Sequence, residues 1–62
     1  MSLKSIRERR GYTQTALSEE SGVNRVMINN YERGRKSPNS MTLDTAYRLA
    51  DVLDCEPREF LK

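Results

Sequence analysis

Apolar residues recur along this chain at the spacing of helices rather than strands. Leu3 and Ile6 lie three positions apart, as neighbours on one helical face do. Nothing in the chain alternates apolar and polar residues as a half-buried strand would. A longer stripe near the end has the same helical period and comprises Leu43, Ala46, Tyr47, Leu49, Ala50 and Leu53. The pattern therefore predicts an all-α fold.

Capping residues and glycines delimit two helices in the first third of the chain. Ser2 is able to cap a first helix, which Gly11 ends. Thr13 is a good N-cap for a second short helix over residues 14–21. Gly22 closes that helix at a tight corner, where we expect a positive φ.

Three further helices follow. Asn24 caps the third, which runs from Arg25 to Tyr31 or Glu32, and Val23 and Ile28 form a hydrophobic staple around its start. After a loop, Asn39 or Ser40 is expected to cap the fourth. Glu56-Pro57 opens a short fifth helix, because proline tolerates the first helical turn. We predict a single domain over residues 1–62, a compact five-helix bundle whose core includes Tyr31, Tyr47, Phe60 and Leu61.

Composition excludes several classes of protein. The chain has 62 residues, one cysteine (Cys55) and no histidine, so an internal disulfide and a Cys/His zinc site are both ruled out. It has no apolar run long enough for a membrane span and no signal-peptide pattern, which favours a cytoplasmic protein. We also see no glycine-rich phosphate loop and no nucleophile–base pair, so we expect neither an enzyme nor a cofactor.

Charge is unevenly distributed between the two parts of the chain. Residues 1–36 carry eight basic and four acidic side chains, a net charge of +4, whereas residues 37–62 carry three and five, a net charge of −2. A protein that docks a polyanion with one end is expected to show such an asymmetry, although ordinary surface charge would also explain it.

The segment TQTALSEESGVNRVMINNYERG resembles the helix-turn-helix of the phage-repressor-like, Cro/XRE-type DNA-binding domains. The resemblance extends from about Leu3 to Leu61 and includes the L-x-x-I-R opening and the T-L-x-x-A-x-x-L-A-x-x-L segment from Thr42 to Leu53. It implies a lambda-repressor-like fold with the helix-turn-helix at about residues 13–31. The sequence departs from the family at Ser18, where alanine is more frequent, and at Asp54, where glycine often follows the fourth helix.

The third helix is expected to present its polar side to solvent. At 100° per residue, Val26, Asn30 and Arg33 lie opposite Ile28, with Asn29 beside them. In the major groove, asparagine pairs with adenine, arginine with guanine or phosphate, and valine contacts a thymine methyl. The resemblance implies the same base-reading positions, namely Arg25, Val26, Asn29 and Asn30.

Two other segments are expected to bind phosphates. Gln14 stands at a helix N-terminus, which favours anions, and the resemblance also implies a phosphate contact there. The loop that follows the third helix supplies further donors in Arg33, Arg35, Lys36 and Ser37.

The resemblance implies two structural contacts. Arg7 is expected to pair with Glu32 across helices and to orient the third helix. A two-fold homodimer on a palindromic operator is expected, with its seam near the last helix at Cys55, Pro57, Phe60 and Leu61.

Two functions remain open. The first is a transcriptional regulator, a repressor above all, that binds double-stranded DNA sequence-specifically. The second is an antitoxin or adaptor of the same fold, whose main partner is a protein and which would expose an apolar patch around Val52, Cys55 and Phe60.

Overall fold

The computed structural model describes residues 2–37 and 40–61. Four α-helices lie in these ranges: α1 (Leu3–Arg9), α2 (Gln14–Ser21), α3 (Arg25–Arg33) and α4 (Leu43–Leu53). A 3₁₀ helix, Pro57–Glu59, follows them. The described part of the chain contains no strand, which confirms the all-α prediction.

Side-chain caps begin α1, α2 and α3 where the sequence places them. The hydroxyls of Ser2 and Thr13 accept from the N–H groups of Ser5 and Ala16, and the Asn24 amide oxygen accepts from Val26 at 2.7 Å. Each bond satisfies one N–H group that the first helical turn leaves without a partner. The predicted starts of these three helices are confirmed.

Two glycines set the ends of α2 and α3. Gly22 and Gly34 have φ of +75° and +78°, a conformation that a Cβ atom disfavours. Gly22 thereby turns the chain from α2 into α3 within three residues. α3 continues to Arg33, one or two residues beyond its predicted end.

The fourth helix begins later than predicted. Thr42 caps α4, with its hydroxyl accepting from the Thr45 N–H at 3.2 Å, so the assignment of the cap to Ser40 was wrong. The other predicted cap, Asn39, lies outside the described residues. The predicted fifth helix is a short 3₁₀ turn of three residues, in which the Phe60 N–H donates to the Pro57 carbonyl at 3.2 Å.

One apolar core joins all the helices. It consists of Leu3, Ile6, Leu17, Val23, Ile28, Tyr31, Met41, Ala46, Leu49, Ala50, Leu53 and Phe60. Tyr47 was predicted in this core but is 57% exposed, and Leu43, another member of the predicted apolar stripe, is 71% exposed. α4 packs through the narrower face that carries Ala46, Leu49, Ala50 and Leu53, and Leu43 and Tyr47 flank that face.

Hydrogen bonds tie the helices together at their ends. Ser18 Oγ donates to the Val23 carbonyl at 2.6 Å across the α2–α3 corner. Arg10 Nε donates to the Leu53 carbonyl at 2.8 Å, linking the end of α1 to the end of α4. In the described ranges, no helix is both long and apolar enough to cross a lipid bilayer.

Candidate nucleic-acid interface

The outer side of α3 presents a stripe of side chains with diverse hydrogen-bonding properties. Val26 is 58% exposed, although it is apolar. Arg25 and Arg33 are also exposed, and Asn29 and Asn30 are partly exposed. On the opposite side, Ile28 and Tyr31 anchor the helix in the core.

This stripe has the dimensions and chemistry for reading a major groove. A single α-helix fits that groove, and amide, guanidinium and methyl groups are the ones that distinguish base edges there. Val26 belongs neither to the apolar core nor to the partly buried residues that pack against it. The base-reading assignment of Arg25, Val26, Asn29 and Asn30 remains a prediction, with α3 presenting all four to solvent.

A buried ion pair holds α3 against α1. Arg7 Nε and Nη2 donate to the two oxygens of Glu32 at 2.7 and 3.0 Å, and Nη1 donates to the Tyr12 carbonyl at 2.7 Å. The side chains are only 10% and 3% exposed. The hydrogen bond to Glu32 raises the pKa of Arg7 and outweighs the opposing effect of burial. The pair that the resemblance implied is therefore present.

Gln14 bonds to α3 rather than extending freely into solvent. Its Nε2 donates to Glu32 Oε1 at 3.0 Å and to Asn29 Oδ1 at 3.3 Å. The sequence interpretation missed both bonds, because they depend on how α2 crosses α3, and residue spacing does not give that geometry. A phosphate contact by Gln14 remains a prediction, with the backbone N–H groups of the helix terminus as its donors.

A polar concavity opens between α1, α2 and α3 beside the stripe. It is lined by Lys4, Arg7, Gln14, Asn29, Glu32 and Arg33. Lys4 was not singled out in the sequence, although its position three residues before Arg7 places both on one face of α1. Lys4 and Arg33 are exposed, so they supply positive charge at the rim of this concavity.

Backbone hydrogen bonds to α3 fix the first residues of the basic loop that follows this helix. The Arg35 and Lys36 N–H groups donate to the Asn30 carbonyl at 2.9 and 3.3 Å, and the Gly34 N–H donates to the Tyr31 carbonyl. The first and third of these bonds form a Schellman motif. Because these two backbone donors are occupied, the predicted phosphate contacts of Arg35 and Lys36 would come from their exposed side chains. Ser37 is exposed beside them.

An open groove lies on the other side of the domain, near the predicted dimer seam. Cys55, Pro57 and Leu61 line it together with Tyr47, Ala50, Asp51, Glu56 and Arg58. Phe60 is only 1% exposed and belongs to the core, so its assignment to the seam was wrong. Burial, with the nearby negative charge of Glu59 adding to it, raises the pKa of the Cys55 thiol.

The chain matches the helix-turn-helix family model over residues 3–60. Among solved structures, it is similar to the crystal structure of the restriction-modification controller protein C.AhdI from Aeromonas hydrophila. The TM-score is 0.79 at 35% identity, covering 92% of this chain and 82% of that one.

Two longer proteins are also similar to the chain. A protein of Thermococcus kodakarensis is 35% identical over 97% of this chain, and one of Pyrococcus furiosus is 36% identical over 84% of it. Both carry the provisional name of an HTH-type transcriptional regulatory protein. The matched segment is 19% and 16% of their respective lengths, so this chain spans less than a fifth of either relative.

Proposed function

The chain belongs to the helix-turn-helix family, and from this membership we propose that it binds double-stranded DNA sequence-specifically as the DNA-binding domain of a transcriptional regulator. The observation that carries the proposal is the exposed stripe on α3. Val26, an apolar residue 58% exposed, lies there among amides and guanidiniums, while a buried ion pair holds the helix. Both features suit a helix that enters a major groove.

The proposed interface combines base reading with phosphate binding. Base edges are read by four residues of α3: Arg25, Val26, Asn29 and Asn30. Phosphates on one side of the groove are contacted by Arg33, Arg35, Lys36 and Ser37. The N-terminus of α2 at Gln14 contacts phosphates on the other side. Phosphate contacts fix register and contribute most of the salt dependence, whereas base contacts discriminate sequences. The proposed role is binding rather than catalysis.

We further propose that the domain acts as a homodimer on a palindromic operator. One small domain reading one half-site has few base contacts, so two copies joined by a two-fold axis gain affinity. The groove lined by Tyr47, Cys55, Pro57 and Leu61 is the proposed seam, since it is open and lies away from the α3 stripe.

Repression is the proposed outcome of binding, because a bound domain excludes other proteins from the same groove. Both the similarity to a controller protein and the regulatory names of the longer relatives support a role in transcription. DNA binding also implies the compartment that holds the DNA, which in a bacterial or phage-infected cell is the cytoplasm.

A salt titration tests the DNA-binding proposal. We expect affinity for a random-sequence duplex to fall on the order of fortyfold between about 50 and about 200 mM salt if three phosphates are neutralised. Fluorescence anisotropy with a labelled duplex gives this value. Absence of binding at the lower salt concentration would contradict the proposal and favour a protein partner instead.

Two substitutions separate the two kinds of contact. Asn30→Ala should weaken binding to a selected sequence about tenfold and leave random-duplex affinity nearly unchanged, because base contacts discriminate. Lys36→Ala should weaken both, because it removes a phosphate contact. Equal losses on both duplexes for Asn30→Ala would exclude Asn30 from base reading.

A further inference from the structure

The Gln14 side chain lies between the Glu32 carboxylate, which can only accept hydrogen bonds, and the Asn29 amide, which can present either its oxygen or its nitrogen. Its Nε2 lies 3.0 Å from Glu32 Oε1 and 3.3 Å from Asn29 Oδ1. The Glu32 carboxylate, bonded to Arg7 through both oxygens, offers only acceptors. The Gln14 amide must therefore direct its NH₂ group, and not its oxygen, toward Glu32.

The orientation of Gln14 in turn determines that of Asn29. One proton of the Gln14 NH₂ group goes to Glu32, and the other reaches Asn29. If the Asn29 amide rotated by half a turn, two NH₂ groups would face each other with no acceptor between them. Asn29 thus keeps its oxygen toward Gln14 and its nitrogen on the opposite side, where no acceptor within the described ranges meets it.

We propose that Gln14 is a specificity-determining positioning residue that makes Asn29 a hydrogen-bond donor toward DNA. The inference rests on the proposed function and deepens it. An asparagine with free orientation matches both a donor and an acceptor on adenine, whereas one fixed with its nitrogen outward matches only acceptors. The keto oxygens, O6 of guanine and O4 of thymine, are the acceptors that adenine and cytosine do not present in the major groove. The Arg7–Glu32 ion pair thus orients the Gln14 amide, and the Gln14 amide orients that of Asn29 on the exposed side of α3.

The test begins with selection from a randomised duplex pool by the wild-type domain and by Asn29→Ala. The base pair whose preference Asn29→Ala loses is the one that Asn29 reads. Synthetic duplexes then replace either the keto oxygen or the amino group of that base pair with hydrogen. We expect the wild type to lose about tenfold in affinity with the first replacement and little with the second.

Gln14→Ala supplies the decisive comparison. It leaves the Arg7–Glu32 pair in place and frees the Asn29 amide to rotate, so we expect the discrimination at this base pair to fall to about threefold or less. Thr15→Ala is the matched control, because Thr15 is exposed near the same helix terminus and forms no side-chain hydrogen bond in the described structure. It should retain the wild-type ratio. Thermal unfolding of each variant verifies that it is folded.

Several results would overturn the inference. Wild-type dependence on the amino group, or an Asn29→Ala variant that keeps every base preference, would do so. A Gln14→Ala variant that binds all duplexes more weakly at an unchanged ratio would show only a phosphate or structural role. These outcomes leave DNA binding intact, whereas failure of the wild type to enrich any sequence would refute the proposed function itself.

Discussion

Glu32 has two partners on two different helices. Its carboxylate accepts from Arg7 on α1 and from Gln14 on α2, while its own backbone belongs to α3. A single side chain therefore fixes both the position of the recognition helix and the hydrogen-bonding polarity beside it. Because the pKa of Arg7 is raised, its contribution to stability is lost only as pH rises through that higher pKa, far above neutrality.

Glu32→Ala should destabilise the domain strongly. It would leave the buried Arg7 charge without its carboxylate, and breaking one side of a buried pair costs about 3–5 kcal/mol. A domain of this size has little more stability than that, so we expect much of the variant to be unfolded at room temperature. Urea unfolding followed by circular dichroism measures the loss.

Arg48→Ala is the matched control for this substitution. It removes one side of the exposed Arg48–Asp44 pair, whose side chains are 53% and 76% exposed. Solvent screens such a pair, so the expected loss is below about 1 kcal/mol. A loss of the same small size for Glu32→Ala would contradict a structural role for the buried pair.

At the residue scale, some contacts could be predicted from the sequence and others could not. The Arg7–Glu32 pair could be predicted because the resemblance aligned both positions. The bonds from Gln14 to Glu32 and Asn29 were not, since they form only when α2 crosses α3 at one angle. Periodicity identified the outward side of α3, because it depends only on the helical repeat.

At the scale of elements, helix bounds were predictable wherever one cap candidate stood alone. Thr13 and Gly22 delimit α2 as predicted because no neighbour competes with them. Before α4, several capping residues stand close together, and Thr42 is the one used. Spacing also assigned Tyr47 to the core, because helical periodicity gives the direction of an apolar stripe but not the width of the face that a neighbouring helix covers.

The C-terminal cap of α4 carries strain that a substitution could relieve. Asp54 has φ of +52° and takes the place that glycine favours, with the Cys55 N–H donating to the Ala50 carbonyl at 3.1 Å as in a Schellman motif. Asp54→Gly should raise the free energy of unfolding by up to about 1 kcal/mol, since the left-handed conformation costs a Cβ-bearing residue about 1–2 kcal/mol and glycine adds unfolded-state entropy. Chemical denaturation measures the difference.

Asp51→Gly tests whether that gain is specific to the left-handed position. Asp51 is exposed within α4, where glycine is expected to destabilise by about 0.5–1 kcal/mol. The two aspartates should therefore respond with opposite signs. Destabilisation by both substitutions would show that Asp54 is not strained.

At the scale of the whole molecule, the two proposed binding surfaces lie in parts of the chain with opposite net charge. The α3 stripe and the basic loop lie in the part of the chain with a net charge of +4, and the Tyr47 groove lies in the part with −2. If both proposals hold, this separation would let DNA and a second subunit bind at the same time. The fold class followed from periodicity and the family from the resemblance, whereas the groove arises from packing between α4 and the 3₁₀ helix, and no sequence pattern encodes it.

Tyr47→Glu should weaken self-association if the groove is the dimer seam. Tyr47 is 57% exposed and lines the groove, and buried tyrosines are often dominant contacts of interfaces. We expect the dimer dissociation constant from sedimentation equilibrium to rise at least about tenfold.

Leu43→Ala is the control for that experiment, because Leu43 is 71% exposed on the same helix and is not part of the groove lining. It should associate like the wild type. A wild-type protein that stays monomeric at every concentration would exclude the seam, as would a Tyr47→Glu variant that associates normally.

The burial of the Arg7–Glu32 pair has a practical consequence. Dissolved ions screen interactions between exposed charges, whereas they screen a buried pair much less, and the side chains of this pair are only 10% and 3% exposed. A high salt concentration should therefore release the domain from an immobilised oligonucleotide, while the circular dichroism spectrum of the protein stays native. Protein eluted at high salt should bind again after desalting, without a refolding step.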